Sequence, residues 1–113
     1  MSENPTMTPP RMKAAKDFAQ QALRCARRAK RWVPVTSAEC GAAVTAGAAE
    51  CRDDRLHGYP VDNIAVARRM ATNAAHLARY ARFGHKRGLS PAGAREVVLR
   101  AFHEAGYAQG IKA

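Results

Sequence analysis

The sequence predicts an all-α protein, a compact four-helix bundle-like domain with short loops that follows a flexible N-terminal arm. Three observations favour this class. Apolar side chains recur at the spacing of one helix face, about every three to four residues, through most of the chain. Helix-start signals precede these segments, and no stretch of useful length alternates between apolar and polar residues as a strand does. A length of 113 residues suits one domain with a single core.

The chain opens with a polar, Pro-containing segment over residues 1–8, which is predicted to be a flexible arm because it has too little apolar surface to bury. Thr8 is placed to cap a first helix that starts at Pro9, where proline's missing N–H costs nothing. Residues 9–113 then form the single helical domain, and helix one is predicted over 9–33. Pro34 ends it. Its apolar side is formed by Met12, Ala15, Phe18, Ala22, Cys25, Ala29 and Trp32.

Helix two is predicted over residues 37–55. Thr36 and Glu39 have the spacing of a capping box, and Val35 is placed to pack on Cys40. The helix is built almost entirely from small residues, and each glycine within it costs about 1 kcal/mol relative to alanine. We expect neighbouring helices to approach closely and offset that cost. Helix two is therefore predicted to be the central, most enclosed helix.

Helices three and four are predicted over residues 62–83 and 90–106. Turn residues at 57–60 separate helix three from helix two, and Asp62 is its predicted N-cap. Gly84 is expected to end helix three in the left-handed conformation. Ser90 followed by Pro91 is a strong start signal for helix four, which is expected to end near Gly106.

Charge is the most informative feature of the sequence. Lys and Arg number 19 against 9 Asp and Glu, which gives a net charge of +10. An excess of this sign attracts nucleic acid, acidic proteins or anionic membranes. Stepping 100° per residue places the cations of helices one and three in one arc of about 120° on each helix. We call these arcs the basic stripes, and they comprise Lys13, Lys16, Arg24, Arg27, Arg28 and Arg31 on helix one and Arg68, His76, Arg79, Arg82 and Lys86 on helix three.

The basic stripes predict contact with nucleic acid, DNA or RNA, or with a nucleoprotein complex. Arginine binds phosphate with two parallel hydrogen bonds, and two stripes lying side by side would form one surface for a phosphate backbone. The candidate binding residues are those of the stripes together with Arg87. Lys86 and Arg87 lie in the connector before helix four, where they either hold a phosphate or complement the dipole at the end of helix three.

Other interpretations stay open. Charged helix faces are often only solvated, with their long side chains lying over apolar surface. A protein–protein inhibitor or adaptor would also use such a surface to dock on an acidic region of a larger host complex, as mobile elements or phages do against host defence. A third alternative is an assembly subunit or homodimer that associates through the small residues of helix two.

Several classes of function are not expected. No catalytic or cofactor-binding motif occurs, so the chain is predicted not to be an enzyme and to need no cofactor. Cys40 and Cys51 lie about three turns apart on one helix and cannot share one tetrahedral metal ion. The three cysteines are expected to be reduced thiols, which, with no apolar run of about 18 residues, predicts a cytoplasmic protein without membrane contact.

Overall fold

The computed structural model describes residues 9–112, and within that range it contains four α-helices and no strand. The helices are α1 (Pro9–Ala29), α2 (Ser37–Leu56), α3 (Ile64–Phe83) and α4 (Pro91–Gln109), with a short 3₁₀ helix at Gly84–Arg87. The all-α, four-helix class predicted from the sequence is confirmed. The predicted arm over residues 1–8 and the Thr8 cap lie outside the described residues.

The central helix is α4, so the prediction that helix two occupies this place is wrong. α4 packs against each of the other three helices, α1 and α3 pack side by side, and α2 packs chiefly on α4. Contacts near both ends of the α1–α3 pair show that these two helices run in the same direction. Arg68 lies over Phe18 towards their N-terminal ends, and Arg82 lies over Trp32 just beyond the end of α1.

Alanine forms most of the buried contact between α1 and α3. Successive clusters bring Ala15 next to Ala67, then Ala22 next to Ala71 and Ala74. Small side chains let the two helices approach closely. α4 adds larger side chains to this core, since Phe102 is 5% exposed and Val98 is fully buried. Buried valines in α3 and in the segments between the helices add to them, namely Val33, Val35, Val61 and Val66.

Two glycines let α2 approach α4 closely. A Cβ atom built on Gly47 would overlap the carbonyl oxygen of His103, and one built on Gly106 would overlap that of Val44. Gly106 lies inside α4, which continues to Gln109, so the predicted end of helix four near Gly106 is wrong. The expectation of close approach at α2 is correct, but that approach involves one neighbouring helix only.

The start signals of α2 and α4 are confirmed. The capping box is present: the Glu39 N–H donates to Thr36 Oγ1 at 3.1 Å, and the Thr36 N–H donates to Glu39 Oε1 at 2.8 Å. That backbone hydrogen bond lowers the pKa of the Glu39 carboxyl. Ser90 caps α4 as predicted, accepting from the Gly93 N–H at 3.0 Å.

Three predicted helix ends need correction. Asn63, not Asp62, caps α3, because its Oδ1 accepts from the Val66 N–H at 3.0 Å. Gly84 has a right-handed φ of −62° and continues into the 3₁₀ helix, so it is not a left-handed terminator. Helix one ends at Ala29 and not at residue 33. Hydrogen bonds to carbonyls three residues back then turn the chain through Arg31 and Trp32.

Within the described range, no helix combines the length and the apolar character needed to cross a bilayer.

Candidate functional site

The basic stripes of α1 and α3 come together at Arg28, near the C-terminal ends of this helix pair. The Arg68 guanidinium carbon lies 5.6 Å from the centre of the Phe18 ring, and that of Arg82 lies 4.9 Å from the centre of the Trp32 ring. A groove of about 520 Å³ lies on the surface between the two packed helices, near their C-terminal ends. Its lining includes Arg28 and Trp32 from the α1 side and Thr72, His76, Arg79, Arg82 and Phe83 from α3.

A second groove of about 570 Å³ adjoins the first. It shares His76, Arg79 and Phe83 with the first groove and extends it to Tyr80 and Arg87. We call the two together the α1–α3 groove. The first groove thus brings Arg28 of helix one together with His76, Arg79 and Arg82. The second groove, whose described lining comes from α3 and the 3₁₀ helix, places Arg87 beside His76 and Arg79. The sequence indicated all five as binding residues.

The guanidinium groups on and near this groove are exposed. Among the side chains that the structure describes, none makes an ion pair or a side-chain hydrogen bond with Arg24, Arg27, Arg28, Arg31, Arg79 or Arg87. With respect to these side chains, the N–H donors of the six arginines are available for a ligand. No described carboxylate neutralises their positive charge.

Not every predicted residue belongs to this surface. Lys13 Nζ lies 3.0 Å from Asp17 Oδ2, so this lysine has an internal counterion that the arc of cations did not indicate. Lys16 lines a different cleft between α1 and α4, beside Gln109 and Ile111. Lys86 is exposed, with its Nζ 5.9 Å from the centre of the Phe83 ring. Arg24, Arg27 and Arg31 are exposed and line neither part of the groove, so they add positive charge to the surface outside it.

Exposed aromatic rings are the part of the site that the sequence did not indicate. Trp32 is 48%, Tyr80 51% and Phe83 41% exposed, and all three line the α1–α3 groove. The Arg82 guanidinium carbon lies 4.9 Å from the ring centres of both Trp32 and Phe83. The helical pattern placed Trp32 on the apolar side of helix one, but that helix ends at Ala29 and the following turn carries Trp32 to the surface.

The polar groups between α2 and α4 are paired with one another. Glu39 pairs with Arg95, His103 Nε2 lies 2.6 Å from Glu50 Oε1, and the Tyr107 hydroxyl donates to Asp54 Oδ2 at 2.7 Å. Burial and, to a smaller extent, the hydrogen bond to Asp54 raise the pKa of Tyr107, so its hydroxyl stays protonated. These contacts hold α2 on α4.

One ion pair joins the end of α2 to the α2–α3 connection, and both of its members also contact the residues that follow α4. Arg55 donates to both oxygens of Asp62, at 2.7 and 2.6 Å, and to the Gly110 carbonyl at 2.8 Å. The hydrogen bonds from Arg55 lower the pKa of Asp62, and the Lys112 N–H adds a further hydrogen bond to the same carboxylate. Asp62 therefore has a structural role that differs from the predicted cap.

The described residues offer no arrangement typical of metal binding. No group of three or more His, Cys, Asp or Glu among them is placed to hold a metal ion. Cys25, Cys40 and Cys51 are free thiols, and burial raises the pKa of both Cys40 and Cys51. A raised pKa keeps these two thiols protonated and unreactive near neutral pH.

Comparison with protein-family models, with curated proteins and with solved structures finds no match to this chain. What the α1–α3 groove binds is therefore inferred from its own side chains.

Proposed function

We propose that the protein binds nucleic acid through the α1–α3 groove, chiefly by contacts with the phosphate backbone. The observation that carries this proposal is the meeting of Arg28, Arg79 and Arg87, which have no side-chain ion-pair or hydrogen-bond partner within residues 9–112, around one groove. Free guanidinium groups bind phosphate with two parallel hydrogen bonds, and neutralising phosphates releases condensed counterions. Counterion release favours a polyphosphate chain over an isolated anion.

The distribution of acidic residues supports the same face. α3 contains no Asp or Glu, and the only acid of α1 is Asp17, which is paired with Lys13. The carboxylates of Glu39, Glu50 and Asp54 are engaged at the α2–α4 contact. A nucleic acid that approaches the α1–α3 groove thus meets mostly cations and polar groups that carry no negative charge, such as Thr72 and His76.

A protein partner is the second candidate. Trp, Tyr and Arg are the residue types that contribute most to the stability of protein–protein interfaces. Trp32 and Arg82 are exposed along the first of the two grooves, and Tyr80 is exposed along the second. This combination also suits an inhibitor or adaptor that docks on the acidic surface of a larger complex.

Fluorescence anisotropy with labelled DNA and RNA at two salt concentrations tests the proposal. Backbone binding predicts that log K falls with log salt at a slope of about −0.9 for each phosphate neutralised on duplex DNA. The double variant Arg28→Glu/Arg79→Glu should abolish binding. Its control is Arg52→Glu/Lys112→Glu, which changes the net charge equally at exposed residues outside the groove and should weaken binding far less.

Failure to bind any nucleic acid at low salt would overturn the proposal and favour the protein partner. Equal weakening by the two double variants would also contradict it, because binding would then depend on net charge and not on the groove.

A further inference from the structure

The C-terminal end of the α1–α3 groove combines three exposed aromatic rings with arginines. From this juxtaposition we propose that the protein's preferred ligand is single-stranded nucleic acid, whose unpaired bases stack on Trp32, Phe83 and Tyr80 while Arg79 and Arg82 hold the phosphates. The inference rests on the proposed function and specifies which nucleic acid the groove takes.

The exposure of the rings is the first argument. Large aromatic side chains supply more burial energy than most others, and clustered exposure of such surface marks an interaction site. Trp32, Tyr80 and Phe83 remain between two-fifths and one-half exposed, although α1 and α3 bury a continuous row of alanines beside them. The fold therefore leaves its bulky rings outside the core and buries small side chains in their place.

The position of Arg82 is the second argument. Its guanidinium carbon lies 4.9 Å from the centre of each of the two rings, Trp32 and Phe83. A guanidinium that stacks on aromatic faces keeps its N–H edge free for a phosphate. Arg82 is thus held in place before the ligand arrives. Trp32, Arg82 and Phe83 form a platform in which the guanidinium covers part of each ring, and a base would stack on the ring surface that stays exposed.

The accessibility of the bases is the third argument, because it differs between single-stranded and duplex nucleic acid. In a duplex the faces of the bases are covered by their neighbours, so aromatic side chains stack on the bases of single strands, loops and ends. Phosphate contacts alone would favour the duplex, because its charge density is higher than that of a single strand. Rings and arginines together in the α1–α3 groove therefore favour the single strand.

Trp32 supplies a direct probe, because it is the only tryptophan in the chain. Titration with a thymidine homopolymer and, separately, with a blunt duplex gives both affinities and the intrinsic fluorescence of Trp32. We expect tighter binding of the single strand, with quenching of Trp32 on the single strand and little change on the duplex.

Variants that lack one ring distinguish the stacking of bases from contacts between arginine and phosphate. Trp32→Ala and Tyr80→Ala should each weaken single-strand binding about tenfold. Tyr80→Ala should leave duplex binding unchanged, whereas Trp32→Ala also removes a ring on which Arg82 stacks. Trp32→Phe should restore much of the affinity, since a ring that can stack is retained. The matched control is Tyr59→Ala, which removes an exposed tyrosine of the α2–α3 connection that does not line the groove. Circular dichroism establishes that each variant is folded.

The outcomes are distinguishable. Equal affinity for the two ligands with unquenched Trp32 fluorescence would overturn the inference while leaving nucleic-acid binding in place. Loss of duplex binding in Tyr80→Ala equal to the loss of single-strand binding would overturn it too, because the ring would then support the groove and not the base. Failure to bind either ligand would overturn the proposed function itself.

Discussion

Alanine at Gly47 should destabilise the protein, whereas alanine at Gly41, earlier on the same helix, should stabilise it. Both glycines lie in α2, and either substitution raises the intrinsic helix propensity by about 1 kcal/mol. They differ in what the new methyl group meets. Gly41 is exposed, with nothing within 4 Å of the added Cβ, whereas Gly47 is buried against α4.

The magnitude follows from the atoms that surround Gly47. Its added Cβ would overlap the carbonyl oxygen of His103 and lie 2.8 Å from the Tyr107 nitrogen and 2.9 Å from the His103 carbonyl carbon. These are backbone atoms of α4, which cannot rotate away as a side chain can, so α2 itself must move outward. Overpacking of this kind costs about 1–3 kcal/mol. Since the gain in propensity is common to both variants, their difference in unfolding free energy isolates this cost, and backbone overlap places it near the upper end.

Urea unfolding followed by circular dichroism at the helix band measures this difference. With an unchanged m-value, the midpoint of the Gly47→Ala variant should lie below the wild type and that of Gly41→Ala above it. In thermal unfolding, 1 kcal/mol corresponds to roughly 4–8 °C for a domain of this size. Equal stability of the two variants would refute the reasoning, because α2 could not then be seated on α4 through Gly47.

Three further predictions concern stability. Thr36→Ala should lower the unfolding free energy by about 1 kcal/mol in urea, because it removes the side-chain acceptor at the start of α2; no change would mean that the cap is dispensable. Asp62→Asn should destabilise the protein at neutral pH. Because the pKa of Asp62 is lowered in the folded protein, the carboxylate stabilises the fold above its unfolded pKa of about 3.9, and this stability is lost as the pH falls through the folded pKa. The unfolding free energies of wild type and variant should therefore converge in acid. A difference between them that does not change with pH would contradict this reasoning. Phe102→Ala should cost about 3–5 kcal/mol by thermal unfolding, and a loss below 1 kcal/mol would contradict its place in the core.

Local chemistry is what made the helices predictable. Thr36 with Glu39, and Ser90 followed by Pro91, act within one helical turn, so their effect can be read without knowing the fold. Asp62 and Asn63 show where such reasoning ends. Both residue types cap helices, and the choice depends on Arg55, which engages Asp62 from the end of another helix.

The arrangement of the helices could not be predicted in the same way. Gly41 and Gly47 have similar small neighbours in sequence, yet one faces solvent and the other contacts α4. The residues that make Gly47 necessary, His103 and Tyr107, are remote in the chain. Small-residue composition indicated that a close approach occurs at α2, but it could not indicate that only one helix makes it.

The candidate site was predictable in part for a related reason. Stepping 100° per residue places the stripe arginines on exposed faces, and that geometry needs only the helix period. The platform formed by Trp32, Arg82 and Phe83 needs two further facts, the end of α1 at Ala29 and the parallel packing of α1 on α3. Neither is encoded within one helix, so the pattern assigned Trp32 to the wrong side.

The position of α2 connects the fold to the charge distribution. Had α2 packed between α1 and α3, as its small residues suggested, its carboxylates would lie beside the basic stripes and neutralise them. Because α2 packs on α4 instead, its acids Glu39, Glu50 and Asp54 pair with three residues of α4, which are Arg95, His103 and Tyr107. Stability at this contact thus depends on glycines and paired acids, and the proposed binding depends on arginines and rings that take no part in it. Substitutions at Gly47 should consequently alter folding without altering the affinity of the folded molecules, and substitutions at Arg28 and Arg79 should do the reverse.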